Sequence, residues 1–250
     1  MGPKTTKAKP AFVSHAPQNR TDYTIYIDAP RVAPPRDGFP AVLLMDGDAF
    51  FDPGVHAGRT LAQAGIIPHC VVVGVGYGVG FGKPGNFRGR DYTPTHAREE
   101  PSSGGAGAFL SYLTDTLWPE LAQRYPLRET HRVIAGHSLG SLAVLFALFQ
   151  EKPFFDRALA GAPSVWWDDR SILGLAAKLR DRTASLPARL YLGVGGDETP
   201  SMLGDLELLE AQLRERPFKG LSVSSKVLPG LDHFNSAAEI LASGLADLLG

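Results

Sequence analysis

His131-Arg-Val-Ile-Ala-Gly-His-Ser-Leu-Gly140, running on into Ser141-Leu-Ala-Val-Leu-Phe-Ala-Leu148, is the stretch on which the fold turns. His131 to Ala135 reads as a strand, and the apolar run from Leu139 onward reads as a helix. Between them stands Gly136-His-Ser-Leu-Gly140, a G-x-S-x-G sequence. In that context it predicts a sharp strand-to-helix turn that lifts a serine hydroxyl clear of the sheet. Small residues two before and two after the serine are required, because a Cβ at either position would crowd the backbone. Ser138 is therefore the candidate nucleophile.

Upstream, Thr21 to Ile27 alternates Tyr23, Ile25 and Ile27 with polar neighbours, the period-two pattern of a strand with one wet face. Ala11-Phe12-Val13 is a short edge-strand candidate. Ala41-Val-Leu-Leu-Met45 and Cys70-Val-Val-Val-Gly74 are continuous apolar runs that suit central parallel strands covered on both faces. Further strands are expected at 132–136, 157–161, 188–194 and 222–228, with helices near 56–64, 107–124, 139–150, 171–182, 202–215 and 236–249. This succession predicts an α/β protein with a mostly parallel sheet and helices on both faces, its working groups at the carboxyl ends of the strands. A length of 250 residues suits one large core. Residues 1–20 are expected to form an N-terminal arm and 21–250 a single catalytic domain.

The composition is that of an ordinary globular chain, 44% hydrophobic and 20% charged, with a formal net charge of −1. No basic run occurs beyond the first nine residues, which argues against nucleic acid as a partner and for a small molecule. No stretch of 18 apolar residues exists to span a bilayer, and the first ten residues lack the apolar core of a signal peptide. The expectation is a cytoplasmic protein, or one exported after removal of a signal. The oligomeric state is not legible. The single cysteine, Cys70, precedes a buried strand and reads as core filler. Gly80-Phe-Gly-Lys-Pro-Gly85 matches a dinucleotide fingerprint only in its letters, since no apolar-periodic helix opens on it, and it reads as a loop beside the site.

A serine hydroxyl needs a base, and the base must sit in a loop at the same edge of the sheet. His233 fits, in Pro229-Gly-Leu-Asp-His-Phe-Asn-Ser236 after the last strand and before the last helix. Of the other histidines, His15, His56, His69 and His96 precede the elbow, His131 starts a strand, and His137 is the elbow's own variable residue. The acid that orients the imidazole should follow an intervening strand, where Asp197 and Glu198 compete, with Glu198 favoured. The oxyanion of a tetrahedral intermediate needs backbone donors. The amide of Leu139 supplies one. The other falls in the turn Asp46-Gly47-Asp48, where Asp48 is the first choice and Gly47 the second.

At these residues the chain resembles the Putative esterase family of α/β-hydrolases, which takes in trilactone siderophore esterases, feruloyl and acetylxylan esterases, esterase D and mycolyltransferases. It is most similar to the siderophore-esterase branch. The likeness is carried by Leu44-Met-Asp-Gly-Asp48, Arg90-Asp-Tyr-Thr-Pro94, Ser103-Gly-Gly-Ala-Gly-Ala-Phe-Leu110, the elbow itself and Ala162-Pro-Ser-Val-Trp-Trp167, and it spans residues 20 to 250. The elbow departs from the family in having Ser141 where a further glycine is common. The resemblance implies the α/β-hydrolase fold, Ser138 and His233 as nucleophile and base, Glu198 in a Gly-x-x-Glu position, and an acyl-enzyme mechanism without metal or organic cofactor. Arg88, Arg90, Trp166 and Trp167 are candidate substrate-binding residues for an aromatic or siderophore-type ester. An acyltransferase using the same acyl-enzyme, and a non-catalytic binding module, are the alternatives.

Overall fold

The computed structural model describes residues 8–250. Eight strands form one sheet: β1 (Phe12–Ala16), β2 (Thr21–Asp28), β3 (Phe39–Leu44), β4 (Val71–Gly76), β5 (Leu127–His137), β6 (Arg157–Gly161), β7 (Ser185–Gly195) and β8 (Lys219–Leu228). Their spatial order is β1-β2-β4-β3-β5-β6-β7-β8. The pairs β1/β2 and β2/β4 are antiparallel, and all six strands from β3 to β8 are mutually parallel. Residues 12–16, within the stretch expected as an arm, thus form the sheet's edge. Residues 1–7 of that arm lie outside the described residues.

Side chains alternate across a strand, and the core divides accordingly. Leu43, Val73 and Ile134 point into one apolar layer with Phe109, Leu142, Leu145, Ile172 and Leu209. Val42, Val72, Val133 and Ala135 point into the other, with Phe51, Ile240, Leu241 and Leu245. The first layer is covered by α3 (Ala106–Tyr112), α4 (Trp118–Arg124), α5 (Leu139–Leu148), α6 (Trp167–Arg182) and α7 (Pro200–Glu215). The second is covered by α1 (Gly47–Gln63) and α8 (Ala237–Leu249). The second helix in chain order is a single turn, α2 (Arg88–Asp91), in the segment after β4. Among the described residues no helix is long and apolar enough to cross a membrane.

Helix α1 begins nine residues earlier than the apolar spacing suggests, and it runs through Pro53 and Gly54. Both disfavour a helix interior by propensity. Packing overrides them: a Cβ on Gly54 would run into the Leu44 side chain, so glycine is what lets the helix lie down on β3. Helix 107–124 is present but interrupted by a π turn at Leu113–Leu117, between α3 and α4. In α6, Asp168, Asp169 and Arg170 all have left-handed backbones, and regular helix starts at Ser171, as the apolar pattern indicates. The Gly80–Gly85 loop opens no helix. Cys70 is buried, which pushes its thiol up to about 12 and leaves it unreactive at neutral pH.

Candidate active site

Ser138 lies at the junction of β5 and α5 with φ 57° and ψ −123°, a backbone that L residues rarely adopt. Two features hold it there. Its amide donates to Gly161 O at 2.8 Å, and its carbonyl accepts from the Ser141 hydroxyl at 2.6 Å. The requirement for small neighbours is literal: a Cβ on Gly136 would lie 2.5 Å from the Gly140 carbonyl. Ser141, where the family commonly has glycine, therefore spends its hydroxyl on bracing the turn.

Across the carboxyl edge of the sheet, His233 Nδ1 and Glu198 Oε1 are 2.8 Å apart. The Glu198 side chain is almost fully buried, while Asp197 is exposed and contributes its amide to Leu231 O at 3.0 Å. Adjacent residues at a strand end face opposite ways, and only Glu198 faces the imidazole. A carboxylate on Nδ1 fixes that nitrogen as the protonated one and leaves Nε2 as the acceptor. Among the described residues neither Nε2 of His233 nor the Ser138 hydroxyl has a hydrogen-bond partner. Catalytic contacts of this kind tighten when substrate binds.

The amide of Leu139 opens α5, and those of Gly47 and Asp48 open α1. None donates to a protein acceptor among the described residues, as first-turn amides are free to do. The two helix starts meet: a Cβ on Gly140 would lie 3.2 Å from Met45 Cβ and 3.1 Å from Asp46 Oδ2. The carboxylate of Asp48 is occupied elsewhere, accepting from Tyr26 Oη at 2.7 Å, Tyr77 N at 2.6 Å and Gly78 N at 2.9 Å. It ties α1 to the end of β4.

The arginines are not free forks. Arg88 makes a two-pronged bond to Asp46, Nε to Oδ1 at 3.0 Å and an Nη to Oδ2 at 2.9 Å. Asp46 is fully buried with a left-handed backbone (φ 54°), one residue before the Gly47 amide. Burial pushes its carboxyl above the usual range, against the lowering effect of Arg88. Arg90 likewise donates to the buried Asp91 at 2.7 and 3.1 Å and to Thr21 Oγ1 at 2.7 Å. Tyr23 and Tyr77 donate to the same Asp91 carboxylate at 2.6 and 3.0 Å. Arg88 therefore ties α2 to the turn before α1, and Arg90 ties α2 to the start of β2; both guanidinium groups are engaged within the protein. The two tryptophans part company: Trp167 is in the core, and Trp166 is 48% exposed.

Sequence reasoning misses His137, Asp46, Tyr92 and Asp91. Tyr92 Oη accepts the Asp46 amide at 2.9 Å. The Asp-Gly-Asp and Arg-Asp-Tyr motifs contained Asp46, Asp91 and Tyr92, where the signal available was that an acidic residue beside an apolar strand end needs a cation, and His137 lay in the elbow motif itself.

A mostly parallel eight-stranded sheet, with a serine on a strained elbow and a carboxylate-bound histidine at its carboxyl edge, is the architecture of an α/β-hydrolase. The chain belongs to the family described as "Putative esterase", whose profile matches residues 16–233. It is 35% identical over 177 residues to ferri-bacillibactin esterase BesA of Bacillus subtilis (strain 168), which covers 65% of this chain and 60% of that protein. It is 33% identical over 142 residues to the siderophore triacetylfusarinine C esterase of Aspergillus fumigatus, 55% of this chain and 48% of that one. These matched stretches thus span between about half and three fifths of the relatives' own length. Among solved structures, the BES protein from Bacillus cereus superposes with a TM-score of 0.87 at 22% identity, covering 100% of this chain and 98% of that chain. Siderophore hydrolase EstB from Aspergillus nidulans gives 0.82 at 23%, covering 100% and 96%.

Proposed function

We propose that the protein hydrolyses carboxylic esters through an acyl-enzyme on Ser138, with His233 as general base and Glu198 as its orienting acid. The observation that carries this reading is the 2.8 Å contact of buried Glu198 with His233 Nδ1, beside a serine held in a strained elbow. His233 Nε2 takes the hydroxyl proton as Ser138 Oγ attacks the ester carbonyl. The oxyanion gathers the amides of Leu139 and Asp48, each such donor being worth about 3 kcal/mol in comparable sites. Collapse expels the alcohol, which receives the proton from His233. Water then repeats the sequence on the acyl-enzyme, releasing the acid and restoring the serine.

An aromatic, siderophore-type ester is the substrate class that fits best. The matched relatives are named for siderophore esters. In addition, Phe234 (88% exposed), Phe81 (52%) and Trp166 stand open on loops at the carboxyl edge of the sheet. Phe234 follows the base directly, its ring 5.4 Å from that of His233. Apolar rings left open beside a reactive serine offer stacking platforms for aryl groups.

The test is reaction with a fluorophosphonate, mass mapping of the adduct, and turnover of a panel of nitrophenyl, feruloyl and cyclic catecholate esters. Adduct on Ser138, loss of turnover in Ser138→Ala by about 10⁴-fold or more, and preference for the aryl esters are expected. Retention of a tenth of the activity by Ser138→Ala would overturn the assignment.

A further inference from the structure

His137 is buried on the α1/α8 side of the sheet, in the elbow position between Gly136 and the nucleophile. Its Nε2 lies 2.7 Å from the backbone oxygen of His233. A carbonyl oxygen only accepts, so Nε2 carries the proton and donates. Nδ1 is buried with no partner among the described residues. The ring fits because residue 161 is glycine: a Cβ there would lie 3.0 Å from His137 Nδ1. Phe50 flanks the imidazole at 5.7 Å and His233 at 4.9 Å, centroid to centroid. Burial first, and then the neighbouring His233, push its pKa down to about 4, so the ring is neutral at neutral pH with one proton, on Nε2.

The other hydrogen bonds of the base's loop stay within it or reach the acid's loop. Asp232 accepts from the amides of Phe234 and Asn235, Asn235 Oδ1 accepts from the Asp232 amide, and Leu231 O accepts from the Asp197 amide. Among the described residues, His137 alone hydrogen-bonds this loop to the strand that carries the nucleophile.

We propose that His137 is a positioning residue that sets the separation of nucleophile and base, one peptide bond from Ser138 and one hydrogen bond from the backbone of His233. This rests on the serine-esterase reading above. A neutral donor suits the task, since it holds the loop without placing a second positive charge beside the imidazolium that forms on His233.

Two amide substitutions isolate the hydrogen bond. In His137→Gln the terminal nitrogen reaches about as far as Nε2, whereas in His137→Asn it ends near the position of Nδ1, short of the carbonyl. Both bury an amide of similar polarity. His137→Gln should keep kcat within about fivefold of wild type, and His137→Asn should lose about 100-fold, the order expected for a misplacement of about 1 Å. KM should move less than about threefold in both, and the fluorophosphonate reaction rate should fall in step with kcat. Equal kcat in the two variants, with both folded by circular dichroism and thermal melting, would overturn the proposal. So would a loss confined to melting temperature, or one expressed in KM. Ser138→Ala is run alongside: if it still turns over esters, the serine reading itself has failed, whereas an inactive Ser138→Ala with equal amide variants refutes the positioning role alone.

Discussion

Replacing Arg88 with methionine should destabilise the protein by about 3 kcal/mol and slow every ester alike, instead of weakening one substrate. Asp46 is 1% exposed and takes two bonds from Arg88, at 3.0 and 2.9 Å. Removing one partner of a buried ion pair costs about 3–5 kcal/mol, because the other charge is left without compensation. The Arg88 side chain is 22% exposed, so water can reach the vacated place and the lower end of that range applies. Burial already raises the Asp46 carboxyl, and loss of the cation raises it further. An acid whose folded pKa is raised loses stability as pH climbs above its unfolded value, so the deficit should be larger near pH 8 than near pH 5. The double variant Arg88→Met with Asp46→Asn should recover most of the loss, since no charge is then stranded and asparagine tolerates a left-handed backbone. Under the proposed mechanism the loss reaches catalysis, because Asp46 immediately precedes the Gly47 and Asp48 amides. Displacing an oxyanion donor should lower kcat by at least about tenfold for nitrophenyl acetate and for a feruloyl ester equally. Urea unfolding at the two pH values and steady-state kinetics on the two esters measure all of this. A loss under about 1 kcal/mol, together with a raised KM for the aryl ester only, would refute the reasoning and return Arg88 to the substrate.

Glu198→Gln should lower kcat by about 10³–10⁴-fold, since an amide no longer stabilises the imidazolium or fixes its tautomer, and Asp197→Asn should change it less than about threefold. Comparable losses in both, measured on one ester, would leave the acid unassigned. His137, neutral in the fold with a pKa of about 4 against an ordinary 6.5, makes the unfolded chain the better proton binder between those values. Its contribution to stability is therefore present above about pH 6.5 and lost as pH falls toward 4, worth up to about 3 kcal/mol. His137→Gln should flatten the pH dependence of the urea midpoint over that window relative to wild type, and an unchanged slope would contradict the assignment.

The parallel core of the sheet is legible because its signals are local. Ala41–Met45 and Cys70–Gly74 are apolar on every residue and short, a pattern that suits a strand covered on both faces. Gly136 and Gly140 announce the elbow because a Cβ on Gly136 would collide with the elbow's own backbone and one on Gly140 would press on Met45 and Asp46 in the turn before α1. The start of α1 is not legible, because Pro53 and Gly54 argue against a helix until the side chain of Leu44 is seen lying beneath Gly54. The same holds for the second half of the acid question. That a carboxylate follows β7 can be read from the chain, but the choice of Glu198 over Asp197 depends on the direction the strand end faces, and that is fixed by a loop 35 residues further on.

Charge partners are the least legible layer, and they change how the arginines are understood. In the sequence, Arg88 and Arg90 stand in a polar loop next to the Gly-rich stretch, where a free guanidinium and a paired one look the same. Which of the two they are depends on Asp46, 42 residues upstream at the end of β3, and on Asp91, whose carboxylate is turned inward by Tyr23 and Tyr77. Each carboxylate is buried, so each must keep a cation or give up its charge. The two arginines are thus committed before any substrate arrives. Arg88 secures the turn Asp46-Gly47-Asp48, Arg90 ties α2 to Thr21 at the start of β2, and the large apolar side chains that remain open on loops at the carboxyl edge of the sheet are Phe81, Trp166 and Phe234.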